Sequence, residues 1–475
     1  MRARSANHRR TAIGTAALLV PLGVVLLTTG GSQAGARPDP QATAAGPAGR
    51  LVQPQGRPGC FHYSGINRCA PGRALKSPED VAVSPDGRHV YVASYGSDAV
   101  ALFARDTRTG SLEQLSGRRG CVGHRGVGPC STGRALGGAA AIAVSPDGRN
   151  VYVAAAGSRA LTVFTRNRTT GTLRQLAGGG GCLSLRPAPE CTVVRAMNEP
   201  TAVTVSPDGS RVYVANRRFP SAVSIFERGA GGALTQPAGP AGCTSLGGVG
   251  DCAVAVAMSG PEDVAVSRDG RSVLVAASKS DAVVALQAGP AGLSQPPGTT
   301  GCIARGGAEG CAPGRRMRGP VELAVSPDGR AVYVASSTSD AVPILRRDRG
   351  SGALRQRSGR AGCISQSGSG GRCTSGRVLD EVWALALSPD GRNLYAVSSK
   401  LNALSAIGRN PATGALAQLP RRWACFIRGG AVGCPEGRGL TVAVAVAVSA
   451  DGRNVYAVSD DTLLGGIAIF RRYMK

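Results

Sequence analysis

Apolar and polar positions alternate along this chain in short bursts, and the bursts return at a fixed interval. The clearest example runs from Asp80 to Leu115, DVAVSPDGRHVYVASYGSDAVALFARDTRTGSLEQL. Val81 and Val83 alternate with Ala82 and Ser84. Ser84-Pro85-Asp86-Gly87 then reads as a tight turn, since Pro presets φ at its first corner and Gly takes the left-handed place at its end. Val90-Tyr91-Val92-Ala93 is a second strand, Ala99 to Ala104 a third and Ser111 to Leu115 a short fourth. Tyr95-Gly96-Ser97-Asp98 and the turn from Asp106 to Gly110 separate them. Four β-rich runs joined by turn residues predict a four-stranded antiparallel meander.

The turn Asp recurs at Asp86, Asp147, Asp208, Asp269, Asp328, Asp390 and Asp451, in steps of 59 to 62 residues. Seven copies of one unit therefore fill residues 49–475. Both faces of the first two strands are small or apolar, so each sheet is covered on both sides. Such a unit needs neighbours to bury it. Seven sheets around an axis make an all-β, seven-bladed propeller of four-stranded antiparallel blades. The alternative, an open solenoid, calls for atypical capping units. The chain offers instead a complementary truncation. The seventh copy stops after its third strand, while Gly49-Arg50-Leu51-Val52-Gln53-Pro54 matches Gly110-Ser111-Leu112-Glu113-Gln114-Leu115. The N-terminal strand is expected to complete the last blade, closing the ring and removing its free edges.

Residues 1–36 have the pattern of a secretory signal peptide. Arg2, Arg4, Arg9 and Arg10 precede an apolar run from Thr11 to Thr29, and Ala34-Gly35-Ala36 fits the small-residue cleavage rule. The alternative is an uncleaved membrane anchor, and Arg9-Arg10 keeps a twin-arginine route open beside the general secretory one. Residues 37–48 read as a flexible Pro- and Ala-rich lead-in. The expected location is outside the cell or on its envelope, as a monomer with no membrane span once the leader is removed.

Cysteine usage agrees with export. The 14 Cys fall two per copy: Cys60-Cys69, Cys121-Cys130, Cys182-Cys191, Cys243-Cys252, Cys302-Cys311, Cys363-Cys373 and Cys425-Cys434. Even pairing in an exported chain reads as disulfides. Local bridges repeat with the blade and are the simplest arrangement, while bridges between adjacent blades satisfy the same count. A metal role is disfavoured by the lack of C-x-x-C spacing and by only 4 His.

The formal charge is +26, or +22 once the four leader Arg are removed. Composition bias toward Arg, Gly, Ala and Pro accounts for it as readily as function does. Read functionally, it suits attraction to an anionic surface such as an acidic wall polymer or phospholipid headgroups, with a glycan or a protein as further partners. Nucleic acid is not expected, because the Arg are dispersed without interleaved aromatics.

The start of each inner strand should face the axial channel. Four residues before the turn Ser the copies read Asp80, Ala141, Ala202, Asp263, Glu322, Ala384 and Ala445. One residue earlier they read Glu79, Ala140, Thr201, Glu262, Val321, Trp383 and Val444. Glu79, Asp80, Glu262, Asp263, Glu322 and Trp383 are thus the candidate ligand-binding residues. A carboxylate ring suits a calcium ion or a polar ligand; the competing reading is a solvated rim paired with Arg. No other cofactor and no resident metal site are expected. A second candidate is the aromatic group Phe61, His62, Tyr63, Trp423 and Phe426, in the loops expected for blades one and seven. It suits a sugar, or else packs over the closure seam.

Catalytic signatures are absent. There is no G-x-S-x-G elbow, H-E-x-x-H or G-K-[ST] loop. Of the four His, His8 lies in the leader and His89 beside a turn, which leaves His62 and His124.

The recurring V-x-V-S-P-D-G-R-x-V-Y-V-A, followed by A-V-x-x-F-x-R-x-x-x-x-G-x-L, resembles the lactonase-like seven-bladed propellers and the wider Tyr-Val-Thr-Asn repeat type. That resemblance implies the fold and, as an expectation, a lactone hydrolase similar to 6-phosphogluconolactonase. No catalytic motif of that family maps onto positions here, and the Cys pairs depart from its cytoplasmic members. Two functions therefore compete: an exported binding scaffold, or an extracellular lactonase. The lactonase would use the channel carboxylates, with Arg73 or Arg134 holding an anion.

Overall fold

The computed structural model describes residues 47–474 apart from Asn67, Val127, Val432 and 462–464. Residues 1–36, read as a leader, and most of 37–48, read as a lead-in, lie outside the described residues. Seven sheets follow one another around a ring. In the first blade Pro78–Val83 is the inner strand, His89–Ser94 the second and Ala99–Arg105 the third, all antiparallel. The second strand is buried along its whole length, as expected for an apolar run covered on both faces. Inner strands of successive blades pack side by side, and that of the seventh, Ala443–Val448, packs on that of the first.

The expected closure is present. Leu51 pairs with Arg472 and Val52 with Arg471, so the N-terminal strand completes the seventh blade. Tyr395 of blade six donates to the Gly49 carbonyl at 2.9 Å, which ties the same segment to the preceding blade.

The blades are mixed sheets rather than purely antiparallel ones, a correction to the simple meander. Leu112–Gln114 pairs with the far half of the third strand, and Cys121–His124 pairs with its near half after a one-turn break. The chain between the cysteines then swings back along the edge, and Ser131–Gly133 runs parallel to Cys121–His124. A disulfide pins each return: Cys121 and Cys130 have Cα atoms 4.7 Å apart. All seven local pairs are bridged and no cysteine is free. One assignment moves. Cys60–His62 pairs with Gly466–Arg472, so the Cys60–Cys69 bridge belongs to blade seven and the Cys425–Cys434 bridge to blade six. The outer strand begun at Leu51 continues through Cys60 before the chain leaves that blade.

The seams between blades carry a polar clamp inside the apolar layer. The last residue of the third strand is Arg in six blades, and it reaches back to the preceding blade. Arg105 donates to the Tyr456 hydroxyl at 2.7 Å, to Asn454 Oδ1 at 2.6 Å and to Asp451 Oδ2 at 2.9 Å. Tyr456 in turn donates to the Gly110 carbonyl at 2.9 Å. All three guanidinium nitrogens of Arg105 thus have a partner, as burial demands. Blade four has Ala288 at this position. There the guanidinium comes from the other side: Arg211 of blade three donates to the Gly289 carbonyl at 2.7 Å.

At the seam of blades one and two the Asn is replaced by His89, whose Nδ1 lies 2.7 Å from Arg166 Nη2. Burial, then the adjacent guanidinium, depress its pKa from 6.5 to about 4. The unfolded chain therefore takes up a proton between these values and the folded chain does not, so stability falls as pH drops from 6.5 towards 4. Discounted for solvent screening, the loss is about 2 kcal/mol. His89→Asn should abolish that component in urea titrations at pH 7 and pH 4.5. An unchanged pH dependence would dismiss the His89 assignment.

Candidate functional site

A bulge in every inner strand builds the channel mouth. The ladder to the second strand skips one residue between Pro78 and Asp80, and the same shift recurs in all seven blades. Such a bulge inserts one unpaired residue and re-aims its side chain. Consecutive residues such as Glu79 and Asp80 therefore both reach the channel instead of pointing to opposite faces. The result is a cavity of about 360 Å³ at the rim opposite the Ser-Pro-Asp-Gly turns. All six candidates, Glu79, Asp80, Glu262, Asp263, Glu322 and Trp383, line it.

The carboxylates divide into two groups. Asp80 accepts from its neighbour Val81 at 2.7 Å and from Ile142 of the next inner strand at 2.8 Å. Asp263 does the same with Val264 at 2.7 Å and Leu323 at 2.9 Å. Glu322 accepts from Leu385 at 3.3 Å. These three stitch adjacent blades. Glu79 and Glu262, on the bulge, face the cavity. Glu262 accepts from Ser278 at 2.9 Å and lies 3.4 Å from Arg217.

Burial raises all five pKa values. Asp80 and Asp263 are pushed up to about 6 by burial, against the pull of their amide donors. Glu322 is raised well above its ordinary range by burial and by Asp263 and Asp80. Glu262 is raised by burial, with Arg217 opposing. Glu79 rises to about 8, through burial and then the nearby Asp460. At neutral pH Glu79 therefore carries a proton, and can donate a hydrogen bond as well as accept one.

Arg217, Asp460 and Tyr95 also line the mouth and were not singled out from sequence. They occupy one column of the repeat, the first residue after the second strand: Tyr95, Ala156, Arg217, Ser278, Ser337, Ser399 and Asp460. Reading down that column would have found them. Arg217 is held by Glu199, whose backbone takes the left-handed conformation at φ 58°. Trp383 remains 38% exposed at the rim and Tyr95 46%, so both side chains are partly accessible to a ligand.

The aromatic group in the disulfide loops is placed differently. Phe61 packs edge-on against Phe103 at 5.1 Å, and Phe426 against Phe470 at 5.0 Å. Arg50 lies 4.8 Å from the Trp423 ring and 4.1 Å from that of Tyr473. Phe61, His62, Trp423 and Phe426 are buried and only Tyr63 is exposed. The rings fill the seams on either side of blade seven and do not form one open face. Arg73 and Arg134 are likewise occupied. Arg73 donates to the Leu115 carbonyl at 2.6 Å, and Arg134 to that of Leu176 at 3.1 Å. Among the described residues no three His, Cys, Asp or Glu side chains converge as a metal cluster, and no helix is long and apolar enough to cross a membrane.

No family model matches the sequence, and no curated protein matches it. Solved structures match its fold. The putative 6-phosphogluconolactonases of Bacteroides fragilis NCTC 9343 and Bacteroides uniformis ATCC 8492 are each 19% identical, with a TM-score of 0.51. The match covers 72% of this chain and 82% and 83% of theirs. The β-propeller domain of Myceliophteria thermophila Cps50 (Swd1) is 11% identical over 83% of this chain and 96% of its own, with a TM-score of 0.50. Such distant likeness defines the class, a seven-bladed β-propeller, and stops there.

Proposed function

We propose that the protein is an exported, disulfide-clipped scaffold that binds a small polyhydroxylated ligand, of the sugar class, at the channel mouth. The observation that carries this reading is the cavity itself, which Glu79, Glu262, Arg217 and the partly exposed Trp383 line together. Hydroxyl groups need both donors and acceptors, and Glu79 and Glu262 supply them. An aromatic face covers the apolar side of a sugar ring. A cavity of about 360 Å³ is of the size that takes such a molecule.

The test is isothermal calorimetry of the mature chain against a panel of mono- and oligosaccharides. Trp383→Ala should weaken binding about ten-fold, the equivalent of one lost ring contact. Because the protonated form of Glu79 donates, affinity should fall as pH rises through about 8, and Glu79→Gln should flatten that profile. A panel with no binder, or a pH profile unchanged in Glu79→Gln, would defeat the proposal.

A second reading is a lactone hydrolase acting on a sugar lactone in the same cavity. It is favoured by Glu79, whose pKa near the working range beside an ionisable Asp460 is what a general acid–base pair requires. The solved neighbours supply fold analogy only. Turnover of a sugar lactone that disappears in folded Glu79→Gln would select this reading over the binder. Glu79 is the right position to test, since Asp80 and Asp263 also hold blades together.

A further inference from the structure

The face opposite the acidic mouth has its own character. It is made of the Ser-Pro-Asp-Gly turns and of the turns that follow the third strands. The residue after the turn Gly is Arg88, Arg149, Arg271, Arg330, Arg392 or Arg453 in six blades, and Ser210 in the other. All six Arg are exposed. None forms an ion pair with a carboxylate among the described residues. The reason lies in the clamps. The Asp of each turn is the obvious partner, but in six of the seven turns it is taken by the buried Arg of the next blade, as Asp86 is by Arg166 at 2.9 Å. The clamp neutralises the acid and leaves the surface guanidinium free.

The third-strand turns add to the same face. Arg168 and Thr169 meet Arg88 in a cleft of about 410 Å³ over Asp86, at the seam of blades one and two. A second cleft shares Arg88 and Thr169 and continues to Thr107 and Ser111, but Asp106 and Glu113 also line it, so the first cleft is the better anion seat. Two uncommitted guanidiniums and a hydroxyl around one cleft suit a phosphate group, which Arg binds in a fork. Among the described residues, Met474 is the one exposed large apolar side chain on this face. A surface that inserts into lipid would present several.

We infer that the turn face is a docking surface for a linear, phosphate-rich anionic polymer, with the Arg88–Arg168 cleft as one seat on the ring. Docking there leaves the carboxylate-lined mouth on the far side free to take its ligand. The inference stands apart from the sugar-class reading, because it uses none of the mouth residues.

The test is fluorescence anisotropy of labelled long-chain inorganic polyphosphate with the full mature chain, across a salt series. The variant Arg88→Gln/Arg168→Gln/Arg271→Gln/Arg330→Gln should lose at least about ten-fold in affinity at physiological salt, and its salt slope should fall by about three. The control Arg118→Gln/Arg119→Gln/Arg360→Gln/Arg372→Gln removes the same charge from exposed positions near the disulfide edges. It should change affinity less than three-fold. All eight side chains are at the surface, so both variants are expected to fold, and circular dichroism checks this. Equal losses in the two variants would overturn the inference in favour of unspecific charge. So would absence of polyphosphate binding at physiological salt, or binding to anionic phosphatidylglycerol vesicles without binding to polyphosphate. Retained sugar binding in the turn-face variant would separate this result from the fate of the mouth.

Discussion

Reduction and alkylation of all seven disulfides should lower the melting temperature by about 15–20 °C. The chain-entropy account values a bridge closing a loop of about ten residues at roughly 2–3 kcal/mol. A ring of this length unfolds with an entropy of roughly 0.9 kcal/mol per degree, so each bridge is worth about 2–3 °C. The bridges lie one per blade and share no residues, so their contributions should nearly add. Calorimetry of oxidised and alkylated protein reads the difference directly. A shift below about 5 °C would mean that the parallel return segments hold the blade edges without their bridges. The reduced protein should also digest first at those edges, since the bridge pins the segment between outer strand and next blade.

The second large effect is expected at a seam. Arg105→Leu should cost about 2–3 kcal/mol in urea unfolding, the usual result of leaving buried hydrogen-bonding groups without their charged partner. The Arg105 side chain is fully buried; its removal takes the donor from the buried Asn454 Oδ1 and the cation from Asp451, which keeps its bonds from Ser449 and Arg453. A loss below about 1 kcal/mol would show that the apolar layer alone sets seam strength. The seam of blades three and four offers a cleaner comparison. Arg211→Asn should weaken it, and adding Ala288→Arg should restore the arrangement of the other six. Failure of the second change to rescue the first would mean that the strand end at Gly289 cannot place a guanidinium.

Much of this architecture is legible in the sequence, and the reason is redundancy. Seven noisy copies of one unit average out local ambiguity, so strand order, turn positions and the closing N-terminal strand all emerge from alignment of the chain with itself. The mouth column was legible for the same reason, since Glu79, Asp80, Glu262, Asp263, Glu322 and Trp383 stand out against Ala and Val. What escaped was anything that depends on a partner outside the unit. The bulge beside Pro78 has no sequence mark of its own. It decides that Glu79 faces the cavity while Asp80 stitches to Ile142. The clamp Arg is visible as a column, but its role is not, because Asp451 and Arg105 are 346 residues apart in the chain. In the sequence Phe61 and Trp423 are departures from the repeat that suit a ligand. In three dimensions they fill space where the first and last segments of the ring meet.

The closing strand also imposes an order of events. Of the residues that build the ring, Leu51 and Val52 leave the ribosome early, and their partners Arg472 and Arg471 late. Blades can form one after another as the chain emerges, but the latch must wait for all of them. During that wait each of the first six blades already has its own outer strand, and Gly466–Arg472 still lacks its outer partner. The near-identity of the units therefore creates no contest for the latch within one molecule. Between two molecules it does: the waiting strand of one fits the open edge of another equally well. Refolding at high concentration should then yield reciprocally latched pairs that dilution alone does not separate. A permuted chain that carries residues 47–74 after Met474 should refold without them.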